Sequence, residues 1–298
     1  MRVAVVGTQG QVARSLAERG VARGVEVVNV GRPALDLLNI NSVEATLTGV
    51  APSIVVNAAA YTAVDQAESD EETAEQINGR AAGRIAEVAQ RLGVPVIHLS
   101  TDYVFDGTLD RPYRETDPVA PVSAYGRSKL VGEQLVAAAH PDHVILRTAW
   151  VYSPFGKNFV KTMLALGATR SEIAVVADQR GCPTSALDIA DAVLEIGGRL
   201  AAGASASQRG TFHLVGTGEA TWADFAQTAL DHAVEFGRSP VRVRGITTQE
   251  YPTPARRPMN SRLDTGKLSQ TFGVKLPDWR ESVRACVGRL LNEADKGP

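Results

Sequence analysis

The chain is poor in the residues that staple, span or ligate. Two cysteines, Cys182 and Cys286, stand far apart in 298 residues with no CxxC pair. That spacing excludes a disulfide framework and a cysteine-based zinc site, and it fits reduced thiols in a reducing compartment. The five histidines (His98, His140, His143, His213, His232) show no HExxH or related metal spacing. No run of about 18 apolar residues occurs, so no transmembrane helix is expected. The opening run Met1-Arg2-Val3-Ala4-Val5-Val6 is too short for a signal-peptide core. Neither charge sign dominates: 31 basic against 33 acidic residues leave a net −2, which argues against a nucleic-acid or membrane partner. These absences point to a cytoplasmic protein.

What is present is ordinary globular material, with 44% hydrophobic and 21% charged residues, enough for one large α/β domain or one with a smaller lobe. Val/Ile-rich runs at Arg2–Val6, Val25–Val30, Ser53–Asn57, Val94–Ser100 and His143–Thr148 have the length of strands buried on both faces. Between them lie helix-length segments. In Glu71–Leu92 one apolar stripe runs through Ala74, Ile77, Ala81, Ile85, Val88 and Leu92, and Gly93 follows as a C-terminal stop. Such alternation predicts a Rossmann-type, doubly wound parallel sheet, an α/β fold. The second half is less regular. Helices are expected over Leu187–Leu200, Trp222–Phe236 and Trp279–Asn292, a strand over Thr211–Val215, and a flexible loop over Gly203–Gln208. Pro, Gly and Thr cluster at Gln179–Ser185 and Thr248–Pro258. The expected division is a dinucleotide-binding domain over 1–148 plus about 186–216, with an interleaved substrate lobe over about 149–185 and 217–298.

The first strand runs into Gly7-Thr8-Gln9-Gly10-Gln11-Val12-Ala13 ahead of a helix. This G-x-x-G-x-x-A turn suits a dinucleotide pyrophosphate. Gly7 permits the tight turn, Gly10 lets backbone N–H groups approach, Ala13 allows close helix packing, and the helix N-terminus faces the phosphates. The second strand ends Val30-Gly31-Arg32. An NAD site would place an acid there; Arg32 suits the 2′-phosphate of NADPH, with NADH possible. Asp36 and Leu37 follow and are expected near the adenine.

Two further segments carry chemistry. Leu99-Ser100-Thr101-Asp102-Tyr103 lies at a strand's C-terminal end, and Tyr125-Gly126-Arg127-Ser128-Lys129 places Tyr125 and Lys129 on one helix face. Ketone reduction needs a hydride, a proton for the carbonyl oxygen and a grip on the developing alkoxide. Tyr125 can donate the proton, although a free tyrosine's pKa of about 10 is high for the task. A lysine cation stabilises the phenolate, and the Thr101 hydroxyl can hold the same oxygen. Phosphate turn, strand-end threonine and Tyr-x-x-x-Lys, in that order, form a specific combination of individually weak signals.

On these residues the chain resembles the extended short-chain dehydrogenase/reductases, and within them the family of dTDP-4-dehydrorhamnose reductases. The resemblance covers essentially the whole chain. It rests on the Gly7 turn, on Asn57-Ala58-Ala59-Ala60-Tyr61-Thr62-Ala63-Val64-Asp65-x-Ala67-Glu68, and on Ser100-Thr101-Asp102-Tyr103-Val104-Phe105-Asp106-Gly107. It continues through Tyr125-Gly126-x-Ser128-Lys129, Arg147-Thr148-Ala149-Trp150, Asp178-Gln179-x-Gly181-x-Pro183-Thr184 and Arg257-Pro258-x-Asn260-Ser261. It implies reduction of the 4-keto group of dTDP-4-dehydro-β-L-rhamnose to dTDP-L-rhamnose. It also implies that Thr101, Tyr125 and Lys129 are catalytic, and that Thr101, Asp102, Tyr103 and Trp150 meet the sugar. The implied cofactor contacts are Gly7, Gly10, Gln11, Val12, Ala60, Tyr61, Thr62, Leu99, Tyr125 and Lys129. Asn78 occupies the place of a helix asparagine that supports the lysine through water. Some members bind magnesium through an acid just after the Gly-Gln-Val turn; Ser15 stands there, so neither a metal nor a metal-bridged dimer is expected, and monomer and homodimer both stay open.

Rivals remain open at this point. An epimerase on another nucleotide-activated keto-sugar would keep its NAD bound, which Arg32 disfavours. A dehydratase wants a second acid where Tyr103 stands. A non-catalytic regulatory subunit would have lost residues that are present here.

Overall fold

A computed structural model describes residues 1–203 and 205–294. Six strands form one parallel sheet: β1 (Arg2–Val6), β2 (Glu26–Val30), β3 (Ile54–Asn57), β4 (Val96–Thr101), β5 (His143–Thr148) and β6 (Gly210–His213), in the order β6-β5-β4-β3-β1-β2. The sheet is buried on both faces because its strands alternate between two cores. Val3, Val5, Ile54, Val56, Ile97, Val144 and Leu146 point to one side, Ala4, Val6, Val55, Val96 and Ile145 to the other. Helices Gln11–Ala22 and Ala186–Ala201 cover the first face, with Leu16, Ile189 and Val193 inward; Leu268, Phe272, Val274 and Leu276 return to the same core late in the chain. Asn41–Val50, Ala81–Leu92 and Ala124–Ala139 cover the second face. The order reverses between β1 and β3, and in open α/β sheets the crevice beyond the strand C-termini at that switch point holds the ligand.

The helix expected over Glu71–Leu92 is interrupted. Glu71–Glu75 and Ala81–Leu92 are α-helical, but Gln76–Arg80 forms a π turn. Apolar spacing of three and four tolerates one wider turn, so the stripe did not register it. Of the loop expected over Gly203–Gln208, Ala204 lies outside the described residues, while Ala206–Gln208 closes a 3₁₀ turn under a Ser205/Gln208 capping box. The strand expected over Thr211–Val215 is Gly210–His213.

The remaining segments build a second set of elements beside the sheet. Helices Phe159–Gly167, Trp222–Glu235 and Trp279–Ala294 pack with a parallel pair, Glu172–Val176 and Arg242–Ile246. Their core is aromatic: Tyr152, Phe225 and Trp279 are fully buried together. Among the described residues no helix is long and apolar enough to cross a membrane.

Candidate active site

The turn after β1 takes the conformation its glycine anticipates. Gly7 has φ +126°, a backbone that L side chains rarely adopt, while a Cβ there would meet Ala13 and the Ala58 backbone only at ordinary contact distance. Gly10 is the N-cap of Gln11–Ala22. No side chain caps that helix and no acid lies in its first turn, so its free N–H groups face the crevice at the switch point. This cradle fits a dinucleotide pyrophosphate. Val12 is half-buried at its edge. The Gln11 side chain is turned elsewhere: its Nε2 donates to the Val151 carbonyl (3.3 Å) and its Oε1 accepts from Ser153 (2.9 Å), pinning the turn to the second set of elements. Arg32 is exposed just past the end of β2, Asp36 Oδ1 accepts from the Leu38 amide (3.1 Å), and Leu37 leans on the second core.

Thr101 ends β4, 5% exposed. Its hydroxyl donates to Asp102 Oδ1 (3.1 Å), while its oxygen accepts the Tyr103 amide (3.2 Å). Tyr103 meets the Tyr125 ring edge-on at 5.5 Å. Burial pushes the Tyr125 hydroxyl well above its ordinary pKa, Thr101 draws it back, and the Asp102 charge raises it again. Asp102 is itself 3% exposed; burial lifts it to about 6 against the pull of the Ser261 and Thr101 hydroxyls.

The tyrosine's helix is held at its start. Ser123 accepts the Gly126 amide and Glu68 accepts the Ala124 amide (2.8 Å). One turn on, Lys129 is 2% exposed, and its Nζ donates to the Leu99 carbonyl (2.7 Å). Burial lowers Lys129 to about 8, opposed by the Glu133 charge. His98 Nε2 is 3.5 Å from Nζ. Asn57 Oδ1 accepts the Ala59 amide, so its Nδ2 donates to His98 Nδ1 (3.1 Å), which puts the ring proton on Nε2. Glu133 is locked in a buried pair with Arg147 (2.6 Å) and also accepts from Ser100 (2.5 Å), fixing the helix against β4 and β5. Asn78, on the π turn, spends its side chain on the Tyr61 backbone (2.8 and 3.1 Å) and on Ser128 (2.9 Å), not on the lysine. Its carbonyl reaches so close to the tyrosine helix that a Cβ at Gly132 would sit 2.1 Å from it.

Ala60, Tyr61 and Thr62 lie on the loop after β3, with Tyr61 tethered to Asp70 (3.2 Å). Further along, Asp65 grips Arg257 (2.8 and 3.1 Å) and accepts the Ala255 amide (3.1 Å), tying this loop to the 251–259 strap. The Arg257 charge is felt by Tyr103. Trp150 adopts a left-handed backbone (φ +48°) and stacks on Trp222 at 3.7 Å. Strain at a non-glycine residue is sustained where surrounding contacts over-determine it. Beside this stack opens a cleft of about 480 Å³, lined by Phe159, Met163, Val175, Trp222, Tyr251 and Arg257. Sequence reasoning assigned no role to Asp65, His98, Trp222 or Arg257; opposite charges in two separate motif strings were the one available hint for the clasp. Among the described residues no group of His, Cys, Asp or Glu is arranged to hold a metal, and Ser15 is buried.

A parallel sheet with a glycine turn at its switch point, a strand-end threonine and a Tyr-x-x-x-Lys helix define the extended short-chain dehydrogenase/reductase class. A family model described as the RmlD substrate binding domain matches residues 1–292, and the chain belongs to that family. The dTDP-4-dehydrorhamnose reductase of Sinorhizobium fredii is 53% identical over 294 residues, 98% of this chain and 99% of that protein. Among solved structures, a dTDP-4-dehydrorhamnose reductase from Clostridium acetobutylicum matches with a TM-score of 0.90 at 38% identity, covering 97% of this chain and 99% of the other. A Bacillus anthracis dTDP-4-dehydrorhamnose reductase in complex with NADP matches with a TM-score of 0.90 at 34% identity over the same shares.

Proposed function

We propose that the chain reduces the 4-keto group of dTDP-4-dehydro-β-L-rhamnose to give dTDP-L-rhamnose, using NADPH and, less readily, NADH, in the cytoplasm as a monomer or homodimer. The observation that carries the reading is Tyr125 set edge-on against Tyr103 just past the end of β4, one helical turn from buried Lys129, whose Nζ donates to the Leu99 carbonyl, and beside the helix of the glycine turn that no side chain caps. The names of relatives aligned over nearly the whole chain supply the substrate.

When bound, the reduced nicotinamide supplies the hydride. Tyr125 gives its proton to the carbonyl oxygen, and the Thr101 hydroxyl orients that oxygen. Lys129 stabilises the phenolate left on Tyr125. The turn amides beyond Gly7, whose own N–H is held by the Val30 carbonyl, take the pyrophosphate up to Val12, Arg32 takes a 2′-phosphate, and Asp36 and Leu37 flank the adenine. Ala60, Tyr61, Thr62 and Leu99 border the rest of the cofactor. The sugar rests against Thr101, Asp102, Tyr103 and Trp150. The nucleotide end fits the 480 Å³ cleft, whose aromatic walls suit a base and whose Arg257 suits a diphosphate. The cofactor body is residues 1–148 with about 186–216; residues of about 149–185 and 217–298 close over the sugar, with 266–276 packed back onto the sheet.

The test is NADPH consumption with enzymatically generated dTDP-4-dehydro-L-rhamnose, run beside NADH, with the product identified chromatographically. Tyr125→Phe should lower kcat by about 10²–10⁴-fold with NADPH binding retained. Wild-type protein that binds NADPH yet leaves this keto-sugar untouched would refute the substrate.

A further inference from the structure

The string Asp178-Gln179-x-Gly181 has no part in the chemistry above, and in the structure it builds the seat of Trp150. Gln179 is 4% exposed and spends both ends of its amide inside the protein. Trp222 Nε1, which can only donate, gives its proton to Gln179 Oε1 (3.2 Å). Thr248 commits its hydroxyl proton to Asp178 Oδ1 (2.7 Å), so its oxygen accepts from Gln179 Nε2 (3.0 Å). These two partners fix which way the amide points. Turned over, it would set Nε2 against the indole N–H and Oε1 against an oxygen with no proton left to give. Trp222 opens its helix under the Thr221/Asp224 capping box, with Phe159 at 4.6 Å beside it. On it lies Trp150, the ring centroids 3.7 Å and the planes 14° apart. Gly181 leaves the room: a Cβ there would fall 2.4 Å from Trp150 Cε2. The left-handed backbone of Trp150 (φ +48°) is thus held by contacts from separate segments.

Resting on the reading above, in which Trp150 meets the sugar, we infer that Gln179 is a positioning residue for the keto-sugar: it sets the Trp222 indole, and Trp222 sets Trp150. With both amide ends spent, Gln179 acts through the indoles and not by a hydrogen bond of its own to the ligand. An aromatic wall fixed before binding spares the cost of ordering it when the sugar arrives. That saving belongs to binding. The chemical step is carried by Tyr125 and Lys129 on a different helix, so loss of the anchor is felt in KM and not in kcat. The same amide holds Thr248, which opens the turn leading into the 251–259 strap, so wall and strap share one anchor.

The experiment compares wild type with Gln179→Leu, Gln179→Glu, Trp222→Phe, the Gln179→Leu/Trp222→Phe double variant and Gly181→Ala, with thermal unfolding and NADPH titration to show that each is folded. Two indoles stacked this closely couple, so ligand-free wild type should show a far-ultraviolet circular-dichroism couplet, assigned by its loss in Trp222→Phe. Gln179→Leu should weaken that couplet before any substrate is added. Gln179→Glu, which keeps an oxygen for the indole N–H, should retain it. Gln179→Leu should raise KM for the keto-sugar by about 5-fold or more, with kcat and KM for NADPH close to wild type. In the Trp222→Phe background, where no indole N–H remains to be held, it should change KM by less than about 2-fold. Gly181→Ala, which displaces Trp150 with Gln179 intact, should raise KM in the same way. A couplet untouched by Gln179→Leu, KM effects that add in the double variant, or a loss carried by kcat alone would overturn the inference. Wild type inert toward the keto-sugar would remove the substrate reading, and the couplet would still decide whether Gln179 sets the stack.

Discussion

Lys129 gives a stability test that does not depend on substrate. Its amine is 2% exposed and titrates near 8, against 10.5 for a free lysine. Between those values the unfolded chain binds more protons than the folded one, so wild-type stability rises with pH across that window and carries a full penalty below it. A gap of this size is worth about 3 kcal/mol at pH 7. Lys129→Met removes the penalty but strands the Leu99 carbonyl, a loss of about 1–3 kcal/mol that does not vary with pH. The pH dependence therefore isolates the titration. Urea unfolding of both proteins at pH 7, 9 and 10.5 should show the variant's stability relative to wild type falling by about 3 kcal/mol from the lowest to the highest pH. A difference that stays constant would refute the claim that burial depresses this lysine. The variant should also be nearly inactive, so stability gained would accompany function lost, as expected of a strained functional group.

Other expectations follow from single contacts. Arg32→Ala should raise KM for NADPH about 10-fold or more and leave NADH unchanged, measured by initial rates, because a charge-assisted contact to phosphate is worth about 1.5–3 kcal/mol. Gly132→Ala drives a methyl into the Asn78 carbonyl; thermal unfolding should show a loss of about 1–3 kcal/mol, with reduced turnover as the tyrosine helix shifts. Glu133→Gln breaks the buried pair with Arg147 and should cost about 3–5 kcal/mol in chemical denaturation.

The sheet half was legible because five β-rich runs and the helices between them each obey one period, and a parallel sheet demands two buried faces. The Thr101, Tyr125 and Lys129 constellation was legible as spacing. Elements such as Arg180–Gly181 and Thr184–Ser185 are two residues long, too short for any period, and they exist because partners from distant segments complete them. The π turn was invisible because its cause is tertiary: Asn78 leans on a glycine 54 positions later. Gln11 and Asn78 were singled out from their motifs, but what their side chains hold depends on which groups the fold brings within reach, and a single sequence does not state it.

The Asp65–Arg257 clasp has a thermodynamic consequence. It joins the loop beyond β3, where the cofactor is proposed to lie, to the strap bordering the nucleotide cleft. If one occupant tightens that strap and the other gains from it, reciprocity requires the gain to run equally in both directions. Cutting the clasp with Asp65→Asn then changes not only each affinity but the difference one occupant makes to the other, so the two sites become more nearly strangers.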